Sequence, residues 1–195
     1  KSKSEYSATD GRNGPVTVVH TPNHRHFKGT DFLLRAVDKL REEGLNIELR
    51  ILEGVANTEV RTILQEADIL AEQFVWTGYA MSALEGMATG LPVMSNLEDR
   101  HVTQIFSRYA FLDACPVYST SPESLTDNLR TLVSDPQLRK DLGIAGRKYV
   151  EEYHSYDAAR FLFGAIYSKL FSNPDLSLID LYAPWGQHVR NRSSA

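Results

Sequence analysis

Short β-branched runs recur from Pro15 onward, each separated from the next by an amphipathic stretch of roughly ten residues or more. Val16-Thr17-Val18-Val19-His20, bounded by Pro15 and Pro22, reads as a buried strand. Residues 31–43 place Phe32, Leu33, Ala36, Val37 and Leu40 at helical spacing, and Gly44 is a fitting stop. Residues 47–52 form a second strand. A helix follows, with Thr58 as its cap and Val60, Ile63, Leu64 and Ala67 on one face. Residues 68–72 are a third strand, and 80–90 carry a helical pattern that breaks at Gly90 into a fourth strand, 91–95. A helix at 102–109 and a strand at 115–118 complete a fifth unit. Ser121-Pro122-Glu123-Ser124 starts a helix through Val133, and two more helices follow at 137–153 and 156–171, the last ended by Asn173-Pro174. Strands joined by helical crossovers imply an α/β fold with a parallel, Rossmann-like sheet, which takes ligands beyond the carboxyl ends of its strands.

With 195 residues and 42% apolar side chains, the chain has room for one such domain and terminal extensions. No segment approaches the ~20 apolar residues of a membrane span. A net charge of −4 argues against a nucleic-acid binder, which usually presents a basic surface. Cys115 is the single cysteine, so no internal disulfide forms and a reducing, cytoplasmic setting fits best. It sits in an apolar stretch and reads as a small buried hydrophobe. Residues 1–14 are polar and read as a flexible segment or linker, 15–171 as the domain, and 172–195 as a less regular tail in which Trp185 suggests packing against something. The chain begins at Lys1 without a signal peptide and reads as a piece of a longer protein.

Two places carry candidate chemistry. The loop His20-Thr21-Pro22-Asn23-His24-Arg25-His26-Phe27-Lys28-Gly29-Thr30 follows the first strand, at the ligand edge of a parallel sheet. Lys28 beside Gly29, just before a helix, can set an ammonium and free N–H groups against phosphate oxygens. Cations there would stabilise negative charge that develops on a bound group. The histidines at 20, 24 and 26 lack the spacing and added acid or cysteine of a zinc site. The second place is Thr77-Gly78-Tyr79-Ala80, leading into Glu85. Thr77 reads as an N-cap and Gly78 permits close backbone approach, with the next amides aimed at an anion. Glu85 can accept two hydrogen bonds from a ribose diol. Asp99-Arg100-His101 reads as a charged surface turn, and the tyrosines at 149, 153, 156 and 167 as helix packing.

The string Leu84-Glu85-Gly86-Met87-Ala88-Thr89-Gly90-Leu91-Pro92-Val93 resembles the LEAMAxGxPV signature of nucleotide-sugar-dependent glycosyltransferases of the GT-B fold, family 4 and its relatives in glycosyl transferases group 1. Lys28-Gly29 is similar to that family's RLxxxKG element. The family's arginine falls at Asn23 here, with Arg25 nearby in the loop. The resemblance covers residues 16–171 and implies the donor-binding half of a two-domain enzyme. It also implies a retaining transfer with no bound metal or cofactor, and an acceptor held by a separate N-terminal domain. Lys28, with Arg25, is expected at the diphosphate, Gly78 to Ala80 at the phosphate or sugar, and Glu85 at the ribose. Peripheral membrane association of a longer protein is compatible with this.

The sequence also departs from that family. Its EGFGxxxLE motif has two glutamates, and the first is Thr77 here, with Gly78, Tyr79 and Ala80 in place of GFG. Glu72, at a strand end, is the nearest carboxylate that could reach the sugar. Between Leu52 and Asp68 there is room for one helix, where the family has an additional strand and helix that contribute to base recognition. Two alternatives stay open. A nucleotide-sugar epimerase would need acid and base carboxylates near the sugar, which Thr77 counts against. A non-catalytic nucleotide-sugar sensor or partner subunit would retain Lys28 and Glu85 for binding alone. A receiver or flavodoxin-like module fits the alternation but explains neither Lys28-Gly29 nor the signature helix.

Overall fold

A computed structural model of the chain describes residues 5–182. Five parallel strands form one sheet in the order β2-β1-β3-β4-β5. They are β1 (Val16–His20), β2 (Ile47–Ile51), β3 (Ile69–Gln73), β4 (Val93–Ser95) and β5 (Tyr118–Ser119). β1 lies between β2 and β3, with Val18 paired to Leu49 on one side and to Ile69 on the other. Val16, Val18 and Val19 are completely buried, as a strand covered on both faces requires.

Helices cover both faces. α2 (Thr30–Glu42) and α6 (Leu125–Ser134) lie on one side, where Leu33, Val37 and Leu40 meet Leu125, Leu129 and Leu132. α3 (Asn57–Glu66) and α4 (Met81–Thr89) lie on the other with Leu64, Ala83 and Met87. Each buried side chain of this size contributes about 1.5–3 kcal/mol relative to exposure. α7 (Pro136–Tyr153) packs closely on α4. A Cβ on Gly143 would sit 2.1 Å from the Gly90 carbonyl oxygen, and one on Gly86 2.5 Å from Leu70 Cδ2. Gly86 thus lets the signature helix settle on β3, and Gly143 lets α7 come up against its carboxyl end.

The sequence expectations hold for the element types and the layered α/β architecture, with four local differences. A one-turn helix, α1 (Arg25–Lys28), lies inside the loop after β1. Gly29, at φ 74°, ends α1 and begins α2, and its missing side chain leaves room for Phe74 Cβ, 3.1 Å from where a Cβ would stand. α3 begins at Asn57 with Ala56 as its N-cap, so Thr58 is not the cap. α6 begins at Leu125, because Ser121 and Ser124 close a turn first: the Ser121 N–H donates to Ser124 Oγ at 3.0 Å. The fifth strand is only two residues, since a 3-10 turn at Leu112–Ala114 takes up the chain before it.

The remaining helices match closely. Asp99 caps α5 (Arg100–Ala110) by accepting from the His101 N–H at 2.9 Å, which gives the charged turn its structural purpose. Asp135 and Ser155 cap α7 and α8 (Tyr156–Phe171) in the same way. A single helix spans β2 to β3, as the short 53–67 segment required. The polar segment before Pro15 is tied to the domain by Arg139, a buried guanidinium. It donates to the carbonyls of Leu132 and Val133 at 2.7 and 2.8 Å, and to that of Thr9 at 2.5 Å. Trp185 lies outside the described residues.

Candidate functional site

The loops after β1 and β2 and the start of α4 enclose a cavity of about 250 Å³ at the carboxyl edge of the sheet. Thr21, Pro22 and Asn23 line it from the first loop, Gly54 and Val55 from the second, and Ser82 and Glu85 from α4. A second cavity of about 400 Å³ lies between α3 and α4, against Arg61 and Arg147. Glu85 lines both, so its exposed carboxylate stands on the wall they share. Thr21 Oγ1 is buried and has no hydrogen-bond partner among the described residues. An orphaned hydroxyl of this kind costs roughly 1–3 kcal/mol, which a ligand atom could recover.

The structure brings Asn23 and Glu85 together and puts the other expected residues elsewhere. Lys28 is buried on α1. Its ammonium is paired with the Glu72 carboxylate and donates to Gln73 Oε1 at 3.0 Å. Its side chain is 8% exposed and that of Glu72 is 0%. Glu72 accepts a further hydrogen bond from Ser82 Oγ at 2.9 Å and one from Ser95 Oγ at 3.0 Å. Oε1 is taken by Lys28 and Ser82, and Oε2 shares the single Ser95 proton with the Gly78 carbonyl, so Glu72 is held with Lys28 beneath the cavity wall. Arg25 is half exposed and makes a bidentate pair with Glu53 at 2.9 and 2.6 Å, joining the loops after β1 and β2. His20 points beneath the site. Its ring lies between the Ala71 carbonyl at 2.7 Å and the Thr30 hydroxyl at 2.9 Å, and burial holds its pKa below the usual value, so it is neutral.

The stretch before α4 also differs from expectation. The helix begins at Met81 with Ala80 as N-cap, so Thr77 is not its cap. Gly78 is held in a positive-φ conformation, φ 125°. Its N–H donates to the Asn96 carbonyl at 2.7 Å, and its carbonyl accepts from Gln73 Nε2 at 2.8 Å and Ser95 Oγ at 2.7 Å. That amide is spent inside the protein rather than on a ligand. Tyr79 turns toward the core beneath α4, where its hydroxyl meets that of Tyr149 at 2.7 Å and burial pushes its pKa up. Cys115 is half-buried nearby, its thiol pushed up by burial.

Thr21, Gly54, Val55 and Ser82 were not singled out from the sequence. A usable signal existed, because every loop leaving a parallel strand ends at the ligand edge, and Gly54-Val55 leaves β2. Among the described residues no three side chains of metal-ligating type converge.

A family model described as Glycosyl transferases group 1 matches residues 29–149. Among solved structures, the chain is similar to a sucrose-phosphate synthase from Thermosynechococcus elongatus. The two are 16% identical at a TM-score of 0.59, over 80% of this chain and 46% of that one. This chain thus spans about half the length of that protein. It is also similar to the C-terminal domain of a glycosyl transferase group 1 family protein from Francisella tularensis. That match is 17% identical at a TM-score of 0.49, over 77% of this chain and 96% of that one. The matched segment includes α2 through most of α7 and the whole signature helix, more than half of the chain, and the chain belongs to the glycosyl transferases group 1 family.

Proposed function

We propose that this domain binds a nucleotide-sugar donor in the cavity at the carboxyl edge and supports retaining transfer of the sugar to an acceptor held by a separate N-terminal domain. The observation that carries this reading is the position of Glu85, an exposed carboxylate on a wall shared by two cavities. There it can take both hydroxyls of a ribose. Asn23 and the orphaned Thr21 hydroxyl supply further polar contacts to the same ligand. The first amides of α4, from Met81 onward, add the positive end of a helix beside that wall. Loss of the family's first glutamate to Thr77 leaves orientation of the sugar to backbone groups and hydroxyls. The chemistry then rests on positioning and on the amides at the start of α4, with no bound metal or cofactor. A cytoplasmic setting, at or near a membrane face, goes with this reading.

A second reading follows from Lys28. With its charge already cancelled by Glu72 and no carboxylate at Thr77, the domain can serve as a nucleotide-sugar-binding partner without transfer activity. A thermal-shift screen with UDP, GDP, ADP and CDP forms of common sugars tests binding. A ligand present at 100 times its dissociation constant stabilises by about 2.7 kcal/mol. Flat melting curves with every compound would overturn both readings. Sugar transfer by a longer chain, abolished by Glu85→Ala, separates the first from the second.

A further inference from the structure

Ser82 ties two parts of the edge together. Its side chain lines the proposed donor cavity, and its hydroxyl donates to Glu72 Oε1 at 2.9 Å. A carboxylate with no solvent exposure therefore lies one hydrogen bond behind the cavity wall. On its second side Oε2 lies 3.0 Å from the Ser95 hydroxyl, which is shared with the Gly78 carbonyl at 2.7 Å. Lys28 spends two of its three N–H donors on Glu72 and Gln73. An anion arriving in the cavity meets a neutral pair rather than a cation, with the negative member attached to the wall.

On the reading that this cavity takes a nucleotide-sugar, we infer that Glu72 is a specificity-determining residue, a resident anion that weakens the site for the diphosphate of the ligand. It does so by cancelling the Lys28 ammonium, so that a phosphate in the poorly screened interior meets no net cation where the loop after β1 would otherwise supply one. Glu72 acts through Lys28 and Ser82 and touches no reacting atom, so it is a positioning residue. The affinity that remains comes from Glu85, Asn23 and the start of α4. The site favours ligands recognised chiefly by their nucleoside and sugar over those gripped by their phosphates.

Isothermal titration of the folded chain with inorganic pyrophosphate tests the charge directly. Glu72→Gln keeps the shape and removes the charge, and is expected to bind pyrophosphate roughly tenfold or more tightly than the wild type. Glu72→Asp, which keeps the charge, stays close to the wild type. Both variants are first checked for a cooperative melting transition. Because Glu72→Gln leaves Lys28 buried without its counterion, the double variant Lys28→Met/Glu72→Leu provides a second arm that removes both charges together. It is expected to bind pyrophosphate no more weakly than the wild type, since the paired lysine contributes no net charge. Unchanged or weaker binding by Glu72→Gln overturns the inference, as does loss of binding in the double variant. The same titrations with UDP, GDP, ADP and CDP separate the two proposals. If no nucleoside diphosphate binds any of these chains more tightly than pyrophosphate does, the nucleotide reading fails while the role of Glu72 stands.

Discussion

Two carboxylates stand close together at the carboxyl edge and live under opposite conditions. Glu85 is exposed on a cavity wall, on a helix whose buried face already packs through Ala83, Gly86 and Met87. Glu72 is sealed beneath that wall with an ammonium and two hydroxyls around it. The first is free to meet a ligand and matters little to the fold. The second is a structural charge whose pairing the fold depends on. Charge alone does not mark a functional residue; a buried charge with all its partners made has little left to offer a substrate.

The sharpest way to break this contrast is to remove one partner of the buried pair. Lys28→Met leaves Glu72 uncompensated in the interior and is expected to destabilise the chain by about 3–5 kcal/mol in urea unfolding. Adding Glu72→Leu to it should recover most of that loss, because an apolar pair of similar volume avoids desolvating two ions. A Lys28→Met chain as stable as the wild type would mean that the ammonium is not paired as described.

Glu85→Ala tests the other side of the comparison. Its stability should stay within ~0.5 kcal/mol of the wild type, the usual range for a surface substitution. Its nucleotide binding should fall by about 1.5–3 kcal/mol, the value of a hydrogen bond to a charged group, and so roughly tenfold to a hundredfold in dissociation constant. Calorimetry on a nucleotide that stabilises the wild type measures both quantities. A variant that unfolds easily yet binds normally would reverse the two roles.

Much of the scaffold was legible in the sequence because its signals are local. The buried strand at Val16–His20, the helix at Tyr156–Phe171 and the single helix between β2 and β3 follow from period, β-branching and helical spacing. The site was legible only in part. Of the expected residues, Glu85 and Asn23 line one cavity, since both sit at strand-end or helix positions that a parallel sheet brings to one edge. The partner of Lys28 was not legible, because Glu72 is 44 residues away and the pairing depends on how deeply α1 sits. Gly78 misled for a related reason: its flexibility was real, but its amide is used by Asn96, on the loop after β4. Thr77 carried the chemistry of a cap, yet the chain needed three more residues to turn before α4 could start.

His20 sharpens the comparison from below the site. Burial is the main reason its pKa is depressed from the ordinary 6.5, with the Lys28 ammonium adding to the effect and Glu72 and the Ala71 carbonyl opposing it. The folded chain therefore holds His20 neutral where the unfolded chain takes up a proton. Stability is complete above the unfolded value near 6.5 and declines as pH falls below it, by at most ~1.4 kcal/mol per pH unit for one proton. Urea unfolding at pH 7.5 and 5.5 should show this decline, and His20→Asn should remove part of it. The part that remains reports on His154, whose pKa burial also lowers. An identical pH response in the variant would show that His20 titrates as it does in the unfolded chain.

The smallest effect is the most direct test of whether the cavity is built for a ligand. Thr21 has its methyl group and hydroxyl in a place where the hydroxyl finds no partner among the described residues. Thr21→Val replaces that oxygen with a carbon of similar size, so the empty protein should gain about 1 kcal/mol as the desolvated hydroxyl disappears. If the oxygen exists for packing alone, ligand binding will not change. If it meets a ligand in the cavity it shares with Glu85, the valine chain will melt higher when empty and gain less from a bound nucleotide. Stability and binding then move in opposite directions at a single atom. That is the behaviour expected of a group kept unsatisfied for a substrate, and the reverse of what Lys28→Met should show beneath the wall.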